Sequence, residues 1–504
     1  FRLAVSIPSF VLWCKSATSF SACSNAIMIR SAGILFAKNT IVQNYVKIAD
    51  NTLDNYTNIY YNIKKNTVKE GMEMYRKVME YLKSWKDSKY RKPLILKGAR
   101  QVGKTYTLLE FGRTYYENVA YFNFETDPKL STTFEDNISP DYLIPVLSHI
   151  SRQTIIREKT LVIFDEVQLC ERALTSLKYF CEEAPDYHIV VAGSLLGVAV
   201  NRASFSFPVG KVDIRTMYPM DMEEFLLAMG EEYLVGQIKD CFVSDSPMPP
   251  ALHDAAMKLY RQYLVVGGMP ECVKQFVETK DHILVRHTQD TILQSYLNDM
   301  SKYNNLNEIK KTRLVYDNIT VQLSKKNTRF QYKLVKKGGR ASEFENAIEW
   351  LCLSGIVSQV YKAEQIKKPL ENYRDIDAFK IYVSDTGLLC AKKNLSADDI
   401  LYMSEELDDF KGGMAENYVN VQLLINGYTT YYWESERGAE VDFVIQREGK
   451  LIPVEVKSAD NTKAKSLKVY IDTYKPEYAI KLSSRNFGFE DGKKTVPLYA
   501  AFCI

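Results

Sequence analysis

The sequence predicts an α/β protein whose first domain is a parallel sheet with helices on both faces. Three observations carry that expectation. Apolar Leu94, Ile95 and Leu96 run straight into a glycine-rich turn; Leu161 to Phe164 is a second apolar run, ending in Asp165 and Glu166; His188 to Ser194 is a third, ending in Ala-Gly-Ser. Continuous apolar runs alternating with helical spacing are the pattern of strands buried on both faces.

The elements follow in order. Val78, Tyr81, Leu82 and Trp85 recur at helical spacing and predict a helix over Tyr75–Lys86, ahead of the first strand. The turn that follows reads Gly98-Ala99-Arg100-Gln101-Val102-Gly103-Lys104-Thr105, a complete G-x-x-x-x-G-K-[ST] phosphate loop. Its glycines let backbone N–H groups curl around a polyphosphate, and the helix expected from Lys104 adds its positive end. Val119–Glu125 alternates as a strand, and helices are expected over Tyr142–Ser151 and Leu174–Cys181. After Met217-Tyr218-Pro219 the strand signals thin out, and residues 220–325 read as helical with a break at Gly267-Gly268-Met269-Pro270.

These residues imply nucleotide chemistry. ATP is expected to touch Gly98, Ala99, Arg100, Gln101, Val102, Gly103, Lys104, Thr105 and Tyr106, with Lys104 reaching the β and γ phosphates. Thr105 and Asp165 are expected to hold Mg²⁺, Glu166 to orient or deprotonate the attacking water, and Ser194 to sense the γ-phosphate. Arg202 and Arg215 are candidate arginine fingers.

Composition bounds the remaining options. A chain of 504 residues exceeds one core, and 46% hydrophobic with 25% charged residues are globular values. A net charge of +3 gives no overall attraction to nucleic acid or anionic lipid, so such binding requires a local patch. Nine scattered cysteines without a C-x-x-C pair fit a reducing, cytoplasmic setting rather than a disulfide framework or zinc site, and no membrane partner is expected. Residues 1–71 begin with Phe and read as a non-native or disordered upstream segment, with Met72 or Met74 as the expected start.

Toward the C-terminus, Ser324–Arg340 gathers Lys325, Lys326, Arg329, Lys333, Lys336, Lys337 and Arg340 around Phe330 and Tyr332 without an acidic residue. A helix over Ser342–Leu353 and strands over Gly355–Tyr361 and Phe379–Val383 follow, an order that suits a winged helix and makes the basic run a candidate nucleic-acid contact. Thr429–Ser435, Ala439–Gln446 and Leu451–Ser458 are β-rich, the last two joined by the hairpin turn Arg447-Glu448-Gly449-Lys450. With Glu416 expected in the first turn of an upstream helix, Glu416, Asp442, Glu455 and Lys457 resemble the D-(x)n-E-x-K metal centre of restriction-endonuclease-like folds. Glu440-Val441-Asp442-Phe443 lacks the proline that often precedes that aspartate.

Together, Gly98–Thr105, Phe164-Asp165-Glu166-Val167-Gln168, Leu177-Lys178-Tyr179-Phe180, Gly193–Gly197, Ser206–Gly210 and Gly267–Pro270 resemble the bacterial and archaeal AAA-type ATP-binding proteins that carry a C-terminal domain of unknown function. That resemblance implies an ATPase of the additional-strand class, then helices, a winged-helix-like segment and a nuclease-like domain. The expected domains are 72–235, 236–325, 326–400 and 401–504. Three functions are consistent with the sequence: an ATPase controlling a nucleic-acid-directed module, a slow nucleotide switch that gates a protein partner through an inactive module, and an ATP-regulated nuclease.

Overall fold

The computed structural model describes residues 74–504 apart from 195, 201–206, 304, 326–328 and 459–464. The expected upstream segment and Arg202, Ser206 and Lys326 lie outside the described residues.

The first layer is built as the strand–helix alternation requires. Helix α1 (Val78–Asp87) precedes β1 (Leu94–Lys97), α2 (Lys104–Tyr115), β2 (Asn118–Asn123), α3 (Pro140–Ser151), β3 (Thr160–Asp165), α4 (Glu171–Glu183), β4 (His188–Gly193) and β5 (Asp213–Thr216). The sheet order is β2-β3-β4-β1-β5, and every pairing is parallel. Alternate residues of one strand enter opposite cores. Leu94, Leu96, Leu161 and Ile163 pack with Leu82, Trp85 and Phe111, whereas Ile95, Val162 and Phe164 pack with Leu143, Leu147 and Leu177. Helices therefore cover both faces, as the continuous apolar runs demand.

Strand β5 is one that the sequence pattern does not single out. It is an edge strand whose Asp-Ile-Arg-Thr leaves Ile214 49% exposed, so it carries no apolar run to read.

A helical layer follows: α5 (Met222–Ala228), α6 (Glu232–Ser244), α7 (Pro250–Val266), α8 (Pro270–Thr279), α9 (His282–Tyr303) and α10 (Leu306–Leu323). The domain boundary expected at 235 falls inside α6, whose Leu234 and Val235 are buried. Helix α11 (Ala341–Leu353) leads into the antiparallel pair β6 (Val357–Ala363) and β7 (Arg374–Val383), then α12 (Thr386–Lys392) and α13 (Asp408–Ile425). The remaining elements are β8 (Tyr431–Glu434), β9 (Glu440–Arg447), β10 (Lys450–Val456), α14 (Lys465–Tyr474), β11 (Ala479–Ser483), β12 (Gly488–Glu490) and β13 (Lys493–Pro497).

The hairpin β6–β7 does not stand apart from the C-terminal strands. Tyr361 and Lys362 of β6 pair in parallel with Tyr431 and Tyr432 of β8, giving one sheet of order β12-β13-β11-β10-β9-β8-β6-β7. The boundary expected at 400 thus divides the sequence but not the sheet. The turn between β9 and β10 behaves as read: Glu448 and Gly449 take φ of 48° and 75°, the left-handed pair that a tight hairpin needs. Glu416 is instead well inside α13, eight residues after its first residue, Asp408.

Candidate nucleotide site and C-terminal charge cluster

The phosphate loop links β1 to α2 and is shaped by close approaches. A Cβ on Gly98 would stand 2.1 Å from the Met217 carbonyl oxygen, and Gly103 at the start of α2 has φ 93°. Gln101 also adopts a positive φ, 66°, so successive N–H groups turn inward as an anion-binding concavity. Lys104 is only 7% exposed. Its ammonium donates to the carbonyls of Gly98 (2.9 Å) and Ala99 (2.8 Å), and burial lowers its pKa to about 8 despite the carboxylates of Glu166 and Asp165 nearby. Tyr106, on the outer face of α2, is 53% exposed.

The carboxylates sit at the end of β3. Asp165 accepts from the Thr105 hydroxyl at 2.7 Å and from the Tyr121 hydroxyl at 2.9 Å, so two strands and α2 converge on it. Glu166 leaves the strand with φ 51°, and its side chain accepts from the Gln168 amide. Burial raises its pKa, against the lowering effect of that hydrogen bond. Gly193 explains itself here, since a Cβ would meet the Gln168 side-chain oxygen at 2.0 Å. Ser194 is 6% exposed, and its hydroxyl has no hydrogen-bond partner among the described residues. It lines a cavity of about 260 Å³ with Gly98, Thr216, Gly355 and Ser384. Arg215 lies over the Tyr81 ring at 5.0 Å, a packing role within the chain.

Sequence reasoning missed the residues that hold the loop from outside. Arg76, 8% exposed, donates to Val102 O (2.8 Å), Tyr218 O (2.7 Å) and Glu224 (3.1 Å). Arg100 pairs with Asp299 of α9 at 3.0 Å, and the Tyr296 hydroxyl donates to Arg100 O at 3.3 Å. A Cβ on Gly355, after α11, would stand 3.1 Å from the Ala99 nitrogen. The Gly-Gly-Met-Pro break also acquires a purpose: Gly268 N donates to buried Asp385 (2.6 Å), its carbonyl accepts from Met220 N (2.6 Å), and a Cβ on Gly268 would overlap Met220 O at 1.9 Å. Asp385 also caps α12 by accepting from Leu388 N at 2.8 Å, and burial raises its pKa to about 6.

Glu416, Asp442, Glu455 and Lys457 are brought into one electrostatic cluster. Burial pushes the Asp442 carboxyl well up, reinforced by Glu455 and Glu416; Glu455 is raised by burial and lowered by Lys457. Asp442 accepts from Val456 N at 2.7 Å, and Lys457 pairs with Glu455 at 2.5 Å. The cluster also contains Lys380 of β7, fully buried, which was not legible in the sequence. Among the described residues no group of three or more His, Cys, Asp or Glu side chains is arranged to hold a metal ion.

The basic run has cations facing out and aromatics facing in. Lys325, Lys333, Lys336, Lys337 and Arg340 are exposed, but Phe330 is 6% exposed and stacks on Phe379, with Tyr332 edge-on to both. The two rings of the basic run thus pack against Phe379, while the cations named face outward. No helix among the described residues is long and apolar enough to cross a membrane.

A five-stranded parallel sheet with this strand order, a phosphate loop after β1 and a carboxylate pair at the end of β3 defines a P-loop ATPase. Within that class, residues 90–226 match the AAA domain family. Residues 257–399 and 411–501 match two domains of unknown function, DUF8612 and DUF4143. No curated protein matches the chain. Among solved structures it is similar to the Aeropyrum pernix ORC1 protein in complex with DNA, at 12% identity over 65% of this chain and 91% of that one, with a TM-score of 0.26. A Thermotoga maritima RuvB Holliday junction branch migration motor aligns at 12% identity over 56% of this chain and 89% of that one, with a TM-score of 0.27.

Proposed function

We propose that this ATPase uses its nucleotide state to set the position of a C-terminal, nuclease-like module that acts on nucleic acid. The observation that supports this reading is the grip on the loop. Val102, Arg100 and Ala99 are each contacted by a different element, Arg76, α9 and the turn after α11 respectively. A loop that rearranges around a polyphosphate therefore displaces all three. From α11 the chain passes into β6 and β7, and β7 carries Lys380 in the C-terminal cluster and is followed by Asp385, which is bonded to Gly268.

The donor set fits ATP with Mg²⁺: a backbone concavity, a caged ammonium, and the Thr105 hydroxyl already against Asp165. Thr105 and Asp165 would hold the cation, which when bound neutralises phosphate oxygens. Lys104 exchanges two neutral carbonyls for phosphate, Glu166 orients and deprotonates water, and Ser194 offers a hydroxyl to the terminal phosphate. In the C-terminal module, Asp442 and Glu455 would bind a divalent cation and Lys457 would position water against a phosphodiester. Exposed Lys333, Lys336, Lys337 and Arg340 supply a salt-dependent attraction to phosphate backbones.

The test is ATP turnover with and without double-stranded DNA, alongside Mn²⁺-dependent strand cleavage in the parent and in Asp442→Asn. DNA-stimulated turnover with Asp442-dependent cleavage is expected. DNA-independent turnover with no cleavage in either protein would reject it in favour of the nucleotide switch with an inactive module.

A further inference from the structure

The C-terminal cluster holds four carboxylates, Glu416, Glu440, Asp442 and Glu455, and two ammonium groups, Lys380 and Lys457. The carboxylates fall into two kinds. Lys380, with no exposed surface, donates to Glu440 at 2.5 Å and to Glu416 Oε2 at 3.3 Å, and its ammonium lies 5.2 Å from the Tyr432 ring centre. The Tyr382 hydroxyl, two residues along β7, donates to the same Glu416 oxygen at 2.8 Å. Glu416 and Glu440 are thus committed to a lysine that cannot turn to water.

Asp442 and Glu455 differ. Glu455 is 2% exposed, and while Oε1 meets Lys457, its Oε2 is buried without a hydrogen-bond partner among the described residues. A buried carboxylate oxygen facing other carboxylates is an unsatisfied acceptor, and a cation is the ligand it lacks.

We propose that Lys380 withdraws Glu416 from the cation position, leaving Asp442 and Glu455 as its only protein carboxylates, so that a divalent cation is retained together with a phosphodiester rather than alone. Magnesium-type ions suit such a site, because they are commonly held by one or two carboxylates and completed by water and substrate phosphate. The proposal rests on the reading of this cluster as cation-binding. It makes Lys380 a positioning residue contributed by the segment before residue 400.

The experiment measures Mn²⁺ binding to the full chain by electron paramagnetic resonance, without nucleotide, with and without a short DNA duplex. Glu416→Gln is expected to leave duplex-supported affinity within about twofold, whereas Asp442→Asn and Glu455→Gln lower it about tenfold or more. Lys380→Met removes the lysine's hold on Glu416 and is expected to tighten duplex-free Mn²⁺ binding about tenfold, a gain removed by adding Glu416→Gln. If Lys380→Met does not fold, the comparison of Glu416→Gln with Asp442→Asn decides alone. A loss in Glu416→Gln equal to that in Asp442→Asn overturns the proposal but keeps a cation site. Absence of any Asp442-dependent Mn²⁺ overturns both.

Discussion

Two buried lysines face opposite surroundings. Among the described residues Lys104 has only carbonyl oxygens as hydrogen-bond partners, and burial without a directly bonded carboxylate lowers its pKa to about 8. Lys380 is bonded to two carboxylates, which hold its pKa well above the usual lysine range although burial opposes them. On the proposed function the first is a charge kept ready, because its bonded partners are neutral and an incoming phosphate would be a better one. The second is a charge already spent, because a fully buried ammonium is bonded to two half-buried carboxylates and has no water to turn to.

The comparison breaks first at Lys104. Lys104→Ala is expected to reduce ATP turnover by about 10³-fold while leaving the chain folded, since the ammonium donates to carbonyls and is bonded to no carboxylate. Loss of folding together with activity would place Lys104 in the same category as Lys380. Glu166→Gln should lower turnover by about 10² to 10⁴-fold with ATP affinity retained, checked by single-turnover kinetics and equilibrium binding. Weakened binding in that variant would make Glu166 structural.

For the second lysine the readout is stability. Lys380→Ala is expected to cost about 3 to 5 kcal/mol in denaturant unfolding, the usual consequence of removing one partner from a buried ion pair. A smaller change, about 2 to 3 kcal/mol, is expected for Asp385→Ala, which removes the cap of α12 and strands Gly268 N. The smallest effect sharpens the contrast through pH. Free Lys104 titrates near 8 and phosphate raises that value, so above pH 8 nucleotide binding takes up a proton and affinity falls by up to about tenfold per pH unit. The same group binds more protons unfolded than folded between about 8 and 10.5, so its contribution to stability rises with pH across that window. Calorimetry in buffers of different ionisation enthalpy should detect the uptake; none at pH 9 would contradict a caged, neutral-partnered lysine.

The candidate nucleotide site was legible as a motif because such chemistry fixes residue types at short spacing: a loop of consecutive residues, and a carboxylate pair at the end of one strand. Lys380 was illegible because its partners lie 36 and 60 positions away, and nothing local distinguishes it from the exposed lysines of the preceding run. Gly267 and Gly268 were readable as a break, but their reason is Asp385, 117 residues on from Gly268. Phe330 and Tyr332 sit among cations in the sequence, and it is the position of Phe379 that accounts for their packing. Strand β5 is polar because it is an edge, so hydropathy passes over it.

The continuity of the eight-stranded sheet bears on portability. The family matches part between residues 399 and 411, which suggests a module that could be lent to another chain, yet the seam between β6 and β8 runs through the sheet interior. A fragment starting at residue 401 would carry β8 to β13 with Tyr431, Tyr432 and Trp433 along a raw edge, and would leave Lys380 behind. Unpaired apolar edges recruit other strands. Such a fragment is expected to self-associate, whereas one beginning ahead of α11 brings its own edge strand and its own counter-charge; the inheritable unit is the sheet, not the stretch of similar sequence.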